Sequence, residues 1–239
     1  MTKRLEGHAD HRFDGELNSI HLHVLEMGCL VLDQSRVALQ ALLSLNKDLA
    51  KKVLDREPEV DSMEDSIDNN IVDLIAKRGP VSRDLRITMA FSKIIVDLER
   101  IGDEAARIAY IVESLSDENQ PKPAKNQMRD ISSMGKLALG MLETAMNSFS
   151  ELDAELAETL LNADQELDAE FQSSLRHLTT FVLEDARNLG HTINITLMLK
   201  SLERLGAHAG NIAEYVIYLV HGVNVRNERR SGDKAIPSK

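Results

Sequence analysis

The chain has one cysteine, no tryptophan, five prolines and twelve glycines in 239 residues, and only 3% of it is aromatic. Each shortage excludes something. A lone cysteine, Cys29, permits no internal disulfide and suits a reducing compartment. Few prolines and glycines leave little punctuation for the many turns of a sheet protein. The abundance of Leu, Ala, Ile, Glu, Asp and Met favours helices instead. No apolar run approaches the roughly 18 residues that a membrane span requires. The opening MTKRLEGHADHRFDGE lacks the hydrophobic stretch of a secretory leader. With 28 Lys and Arg against 39 Asp and Glu, the net charge is −11, which with the scarce aromatics speaks against a nucleic-acid surface. The tail RNERRSGDKAIPSK carries three arginines and is expected to be a flexible terminus. These shortages describe a soluble, acidic, cytoplasmic helical protein.

What is present is a repeat. DLERIGDEAARIA at 97–109 returns as SLERLGAHAGNIA at 201–213. Ile87, Phe91, Ile94, Leu98, Ile101, Ala105, Ile108, Val112 and Leu115 alternate steps of four and three, the signature of an a/d seam on a long bundled helix. Leu202, Leu205, Ala209, Ile212, Val216 and Leu219 keep the same rhythm. Helices are expected near 14–44, 47–78, 82–115, 124–149, 152–187 and 191–222, with Ser82 as an N-cap. Val53, Val60, Met63, Ile67, Ile71 and Leu74 supply the buried face of the second. Pro58 lies within that helix; DLAKKVL at 48–54 aligns with ELAETLL at 155–161 and sets Gln165 opposite Pro58, so a kink and not a boundary is expected. SDENQPKPAK at 116–125 divides the chain near its middle. The expected architecture is all-α, two pseudo-repeated three-helix bundles in an elongated molecule. Residues 1–117 form the first, 118–124 a linker, 125–223 the second, and 224–239 the tail.

The usual short catalytic signatures are missing: no nucleophile elbow, phosphate-binding glycine loop, dinucleotide fingerprint or CxxC. What recurs is a carboxylate pair at i, i+4, placed on one helix face. The first half has Glu57/Asp61 and Glu99/Asp103. The second has Asp164/Asp168 and Glu203, with Ala207 where the fourth partner would stand. Two such pairs on adjacent helices offer hard oxygen ligands suited to Mg, Mn, Ca or Fe. Against the Leu98 seam, however, Glu99 and Asp103 take b and f positions, where carboxylates ordinarily form a solvated face. Repetition in both halves and the crowding of Glu57, Asp61, Glu64, Asp65 and Asp68 pull the other way. Clustered like charges cost a few tenths of a kcal/mol per pair unless a cation joins them. Arg100 or a metal ion could be that cation. Arg83 and Arg86, at a helix start, are a weak candidate anion site.

LERIGDEAARIA, LERLGAHAGNIAEYV, IAKRGPVSRDLR, EVDSMEDSID and ADQELDAEF together resemble the PhoU family across nearly the whole chain. The resemblance implies two three-helix bundles, usually dimeric. It also implies a non-enzymatic cytoplasmic regulator that represses the phosphate-starvation response, coupling the ATPase subunit of a phosphate ABC transporter to a membrane sensor histidine kinase. The membrane is reached only through those partners. The family's E(D)xxxD motif, where surface clusters of divalent metal or iron have been described, carries over onto Glu57/Asp61, Glu99/Asp103 and Asp164/Asp168, and in part onto Glu203. Ala207 breaks the fourth motif. The family's histidine and asparagine are kept as His208 and Asn211 but are replaced by Glu104 and Arg107 in the first half. A metal-dependent enzyme or metal buffer, and an inert helical scaffold, are the rival readings.

Overall fold

A computed structural model describes residues 11–116, 122–184 and 189–222. Among these residues there are seven helices and no strand: α1 (His11–Ser44), α2 (Lys47–Leu54), α3 (Glu57–Arg78), α4 (Arg83–Leu115), α5 (Lys125–Glu151), α6 (Ala154–Glu184) and α7 (Leu189–His221). The expected flexible tail and most of the expected linker lie outside the described residues. At about 1.5 Å per residue, the 33 residues of α4 make a rod of roughly 50 Å. The molecule is an elongated helical bundle.

One expectation fails. The second helix does not pass through Pro58 with a kink; it stops at Leu54, turns through Asp55 and Arg56, and restarts as α3 with Pro58 in its first turn. The reason is steric and chemical. Pro58 has no N–H to give the Leu54 carbonyl, and its ring collides with that carbonyl in a continuous helix. In the first turn of a new helix the missing N–H is one that would have no partner anyway. Gln165, opposite Pro58 in the repeat, sits inside an unbroken α6.

Every a/d residue read from the sequence of α4 and α7 is buried. The repeat also extends to the loops. Leu45 and Leu152 both take left-handed φ, 49° and 51°, directly after α1 and α5. Each is followed by a short acceptor at the start of the next helix. The Asn46 side chain accepts from the Asp48 and Leu49 amides, and Asp153 accepts from the Leu156 amide. These satisfy helix-start donors that have no partner within the helix. Ser82 occupies the N-cap position of α4, but its side chain makes no capping bond.

The halves join along two antiparallel seams, α4 on α7 and α1 on α5. In the second, Gly28 of α1 receives Met146 of α5, and Gly135 of α5 receives Leu39 of α1. The two glycines are 107 residues apart in the sequence, and so are their two visitors, Leu39 and Met146. A side chain on either glycine would occupy the space its visitor fills. The contact is therefore a self-complementary one inside a single chain, of the kind that twofold dimers use. Arg36 and Glu143, also 107 apart, meet each other at 2.5 Å; they occupy one repeat position and lie at the pseudo-twofold itself.

Candidate functional site

The acidic residues of the first half gather where α3 and α4 run side by side. Gly102 allows this approach: a Cβ there would lie 3.3 Å from Val60 of α3. Glu99 and Asp103 are half-buried, their side chains 19% and 30% exposed. They are therefore not the fully solvated face that b and f positions suggest. Burial, then the neighbouring Asp103 and Asp61 charges, hold Glu57 above its ordinary carboxyl range. Glu99 is raised by burial and by Asp103, is partly relieved by Arg100, and also senses Glu64 and Asp61. Glu64 is raised in the same way by burial and by Asp65, Asp61 and Asp68. The structure thus brings Glu57, Asp61, Glu99 and Asp103 into one electrostatic neighbourhood and adds Glu64.

The cation already standing there is Arg100, 3.3 Å from Glu99 and 3.7 Å from Asp103. Among the described residues no three carboxylates, histidines or cysteines converge on a point where a metal ion could be held. Hard oxygen donors are nonetheless present in number along α3 and α4. In the second half, Glu203 is paired with Lys200 at 2.6 Å, Asp164 lies beside Gly210, and Asp168 is exposed. Ala207 adds no donor, and its neighbour His208 is committed elsewhere.

That commitment reveals polar residues the heptad count passes over. In the α4–α7 seam Asp97 is buried; its Oδ1 lies 2.7 Å from His208 Nδ1 and accepts from Asn211 at 2.9 Å. On the other side of the pseudo-axis Glu104 is 1% exposed. Its Oε1 takes both the Arg107 Nη1 at 3.2 Å and the Arg204 Nε at 3.1 Å. A buried carboxylate is costly unless paired and hydrogen-bonded; Asp97 finds both partners on the opposing half, and Glu104 finds Arg204 there and Arg107 on its own helix. The retained His208 and Asn211, and the replacements Glu104 and Arg107, therefore belong to the joint between halves. Arg86 does not present itself to an anion at the α4 start. Its guanidinium lies over the Tyr218 ring at 5.8 Å and against Gly222 at the end of α7.

The family model of the PhoU domain matches the chain twice, at residues 24–112 and 131–216. The chain belongs to the PhoU family. It is 38% identical over 223 residues to a phosphate-specific transport system accessory protein PhoU homolog of Pseudomonas aeruginosa, covering 93% of this chain and 91% of that protein. It is 34% identical over 224 residues to the Escherichia coli K12 phosphate-specific transport system accessory protein PhoU, covering 93% and 91%. The crystal structure of PhoU from Pseudomonas aeruginosa superimposes with a TM-score of 0.83, covering 88% of this chain and all of that one at 38% identity. The phosphate transport system regulatory protein PhoU from Streptococcus pneumoniae does so with a TM-score of 0.80 at 28% identity, covering 89% and 98%. The two matched segments are the two structural repeats, so both halves of the fold carry the family's pattern.

Proposed function

We propose that this chain is a non-enzymatic accessory of a phosphate-specific transport system, and that it represses the phosphate-starvation response and phosphate uptake when phosphate is plentiful. The observation that carries this reading is the near full-length likeness to accessory proteins of that system, with both repeats matched. The partners are the ATPase subunit of the phosphate ABC transporter and a sensor histidine kinase, with the chain working at the cytoplasmic side of the membrane. No described helix is long and apolar enough to cross a membrane, which agrees with attachment through partners.

Exposed apolar side chains on the long helices support binding to protein partners. Leu85 and Met89 of α4 are exposed, as are Leu189, Ile193 and Leu197 of α7. Leu85 and Leu189, like Met89 and Ile193, are 104 residues apart, so both repeats offer an apolar patch at the same place. Self-association as a homodimer uses such helix faces. Sedimentation at tens of micromolar should give twice the chain mass, and a monomer there excludes the dimer.

A second reading rests on the repelling carboxylates of α3 and α4. A hard divalent ion would relieve them by taking oxygens from Glu57, Asp61, Glu99 and Asp103 once Arg100 swings aside. In this reading the ion is structural or regulatory.

The functional test is a clean deletion strain grown in rich phosphate. Phosphate-starvation genes should become constitutively active and should be silenced again by the wild-type copy. Normal repression in the deletion strain would falsify the regulatory reading. Hydrolysis of phosphate esters that depends on Glu99 and Asp103 would instead establish an enzyme.

A further inference from the structure

The pseudo-twofold places two polar clusters in the α4–α7 seam, and they are not electrically equivalent. At Asp97 one buried carboxylate meets a histidine and an amide. At Glu104 one buried carboxylate meets two guanidiniums on the same oxygen, Oε1. One arginine suffices to neutralise Glu104. The second leaves an excess positive charge in a chain whose net charge is −11. Both arginine side chains remain open to water, Arg107 50% exposed and Arg204 40%. Arg107 uses only its Nη1 and Arg204 only its Nε on Glu104, so their other nitrogens still have N–H groups to donate.

We propose that Arg107 and Arg204 form a binding site for a small oxyanion of the phosphate class. Three features favour it. Both guanidiniums touch a single carboxylate oxygen, so they are held side by side and lose little freedom when an anion arrives. Planar guanidinium forks match the spacing of phosphate and carboxylate oxygens, and such charge-assisted bonds are among the strongest that side chains make. The buried Glu104 fixes both from beneath while leaving their outer edges to solvent. The third exposed arginine of this face, Arg100, lies against Glu99 and Asp103 instead, and those carboxylates keep an anion away from it. The site spans the joint between the repeats, one arginine from each, so occupancy depends on how α4 and α7 sit together.

The proposal does not depend on the regulatory reading, because its readout is binding by the isolated full-length chain. Inorganic phosphate is titrated into wild type at constant ionic strength, made up with chloride, and followed by phosphorus NMR line broadening and by the thermal midpoint. Saturable binding is expected. Arg107→Gln and Arg204→Gln should each weaken it on the order of tenfold, since each removes charge-assisted donors while leaving Glu104 one arginine. Arg107→Lys should restore only part, because an ammonium lacks the fork. Arg100→Gln should leave it unchanged. Competition by sulfate supports a general tetrahedral oxyanion site. No saturable response beyond that of chloride overturns the proposal, and so does equal phosphate binding in wild type, Arg107→Gln and Arg204→Gln.

Discussion

The two halves keep the same seam and differ at their acidic faces. In the first, the second helix breaks at Asp55–Arg56 and restarts at Glu57; in the second, α6 runs without interruption past Gln165. The break sets Glu57 and Glu59 in the first turn of α3, where the positive end of the helix dipole favours carboxylates. Asp164 lies well inside α6 and has no such end beside it. The half with the crowded carboxylates is therefore also the half that places a helix start beneath them. From Phe91 and Ile195 to Leu115 and Leu219 the seam stays apolar in both halves although individual side chains differ, because each fills space between helices; the flanks differ in charge.

Substitutions at matched repeat positions test how far the halves differ. The largest effect is expected from Gln165→Pro, which imposes the first half's interruption on the second. It should destabilise the protein by about 3 kcal/mol or more in denaturant unfolding, whereas Pro58→Ala should change stability little. If both are equally tolerated, the break does not distinguish the halves. Next comes Asp97→Ala, which leaves His208 and Asn211 facing a void and should cost about 1–3 kcal/mol. Ser201→Ala, at the same repeat position, should cost clearly less.

Acid should act in opposite senses at the α1–α5 joint and at the acidic face of the first half. His21 is wedged between Phe91 and Phe149, near the Phe149 carbonyl, and burial holds its pKa below the usual 6.5. The unfolded chain therefore takes that proton first, and stability falls as pH drops through 6.5 towards the lowered value. Glu57, Glu64 and Glu99 have pKa values raised above the usual 4.5. The folded chain takes those protons first, and their repulsion is relieved as pH falls through the raised values. Replacing His21 with Leu should remove the first loss, seen as a flatter thermal midpoint between neutral pH and the onset of carboxylate titration. Glu99→Gln should raise stability at neutral pH by a few tenths of a kcal/mol and shrink the later gain; a decrease there would contradict net repulsion.

The smallest effect concerns metal. Divalent ions should stabilise wild type more than Asp103→Ala, and Ala207→Asp should add uptake in the second half, because affinity rises with the number of charged oxygen ligands. Equal occupancy of both halves would contradict this asymmetry, and no bound metal under any condition would leave Arg100 as the cation of the cluster.

Much of the fold was legible because its strongest signal, the 3–4 alternation, is written by burial itself. Each residue from Ile87 to Leu115 on that list is in the core. Pro58 was misread because alignment with Gln165 speaks only to whether a position is helical. The path of the chain just before it depends on the Leu54 carbonyl, which no alignment displays. At the site, i, i+4 spacing found the carboxylates that share a neighbourhood. It could not show that Arg100 occupies their midst, since rotamers decide that. Asp97 and Glu104 escaped for a different reason: they flank the seam, where charge ordinarily faces water, and only the docking of α7 against α4 buries them.

The meeting of Arg36 with Glu143 has a further consequence. A repeat position facing its own counterpart is one where identical copies would confront like with like. Two first halves brought together in this manner would set arginine against arginine, and two second halves glutamate against glutamate. Only the mixed union is electrically matched, so the chain behaves as a covalently tethered heterodimer of its own repeats. Its two ends are therefore not equivalent despite its near symmetry.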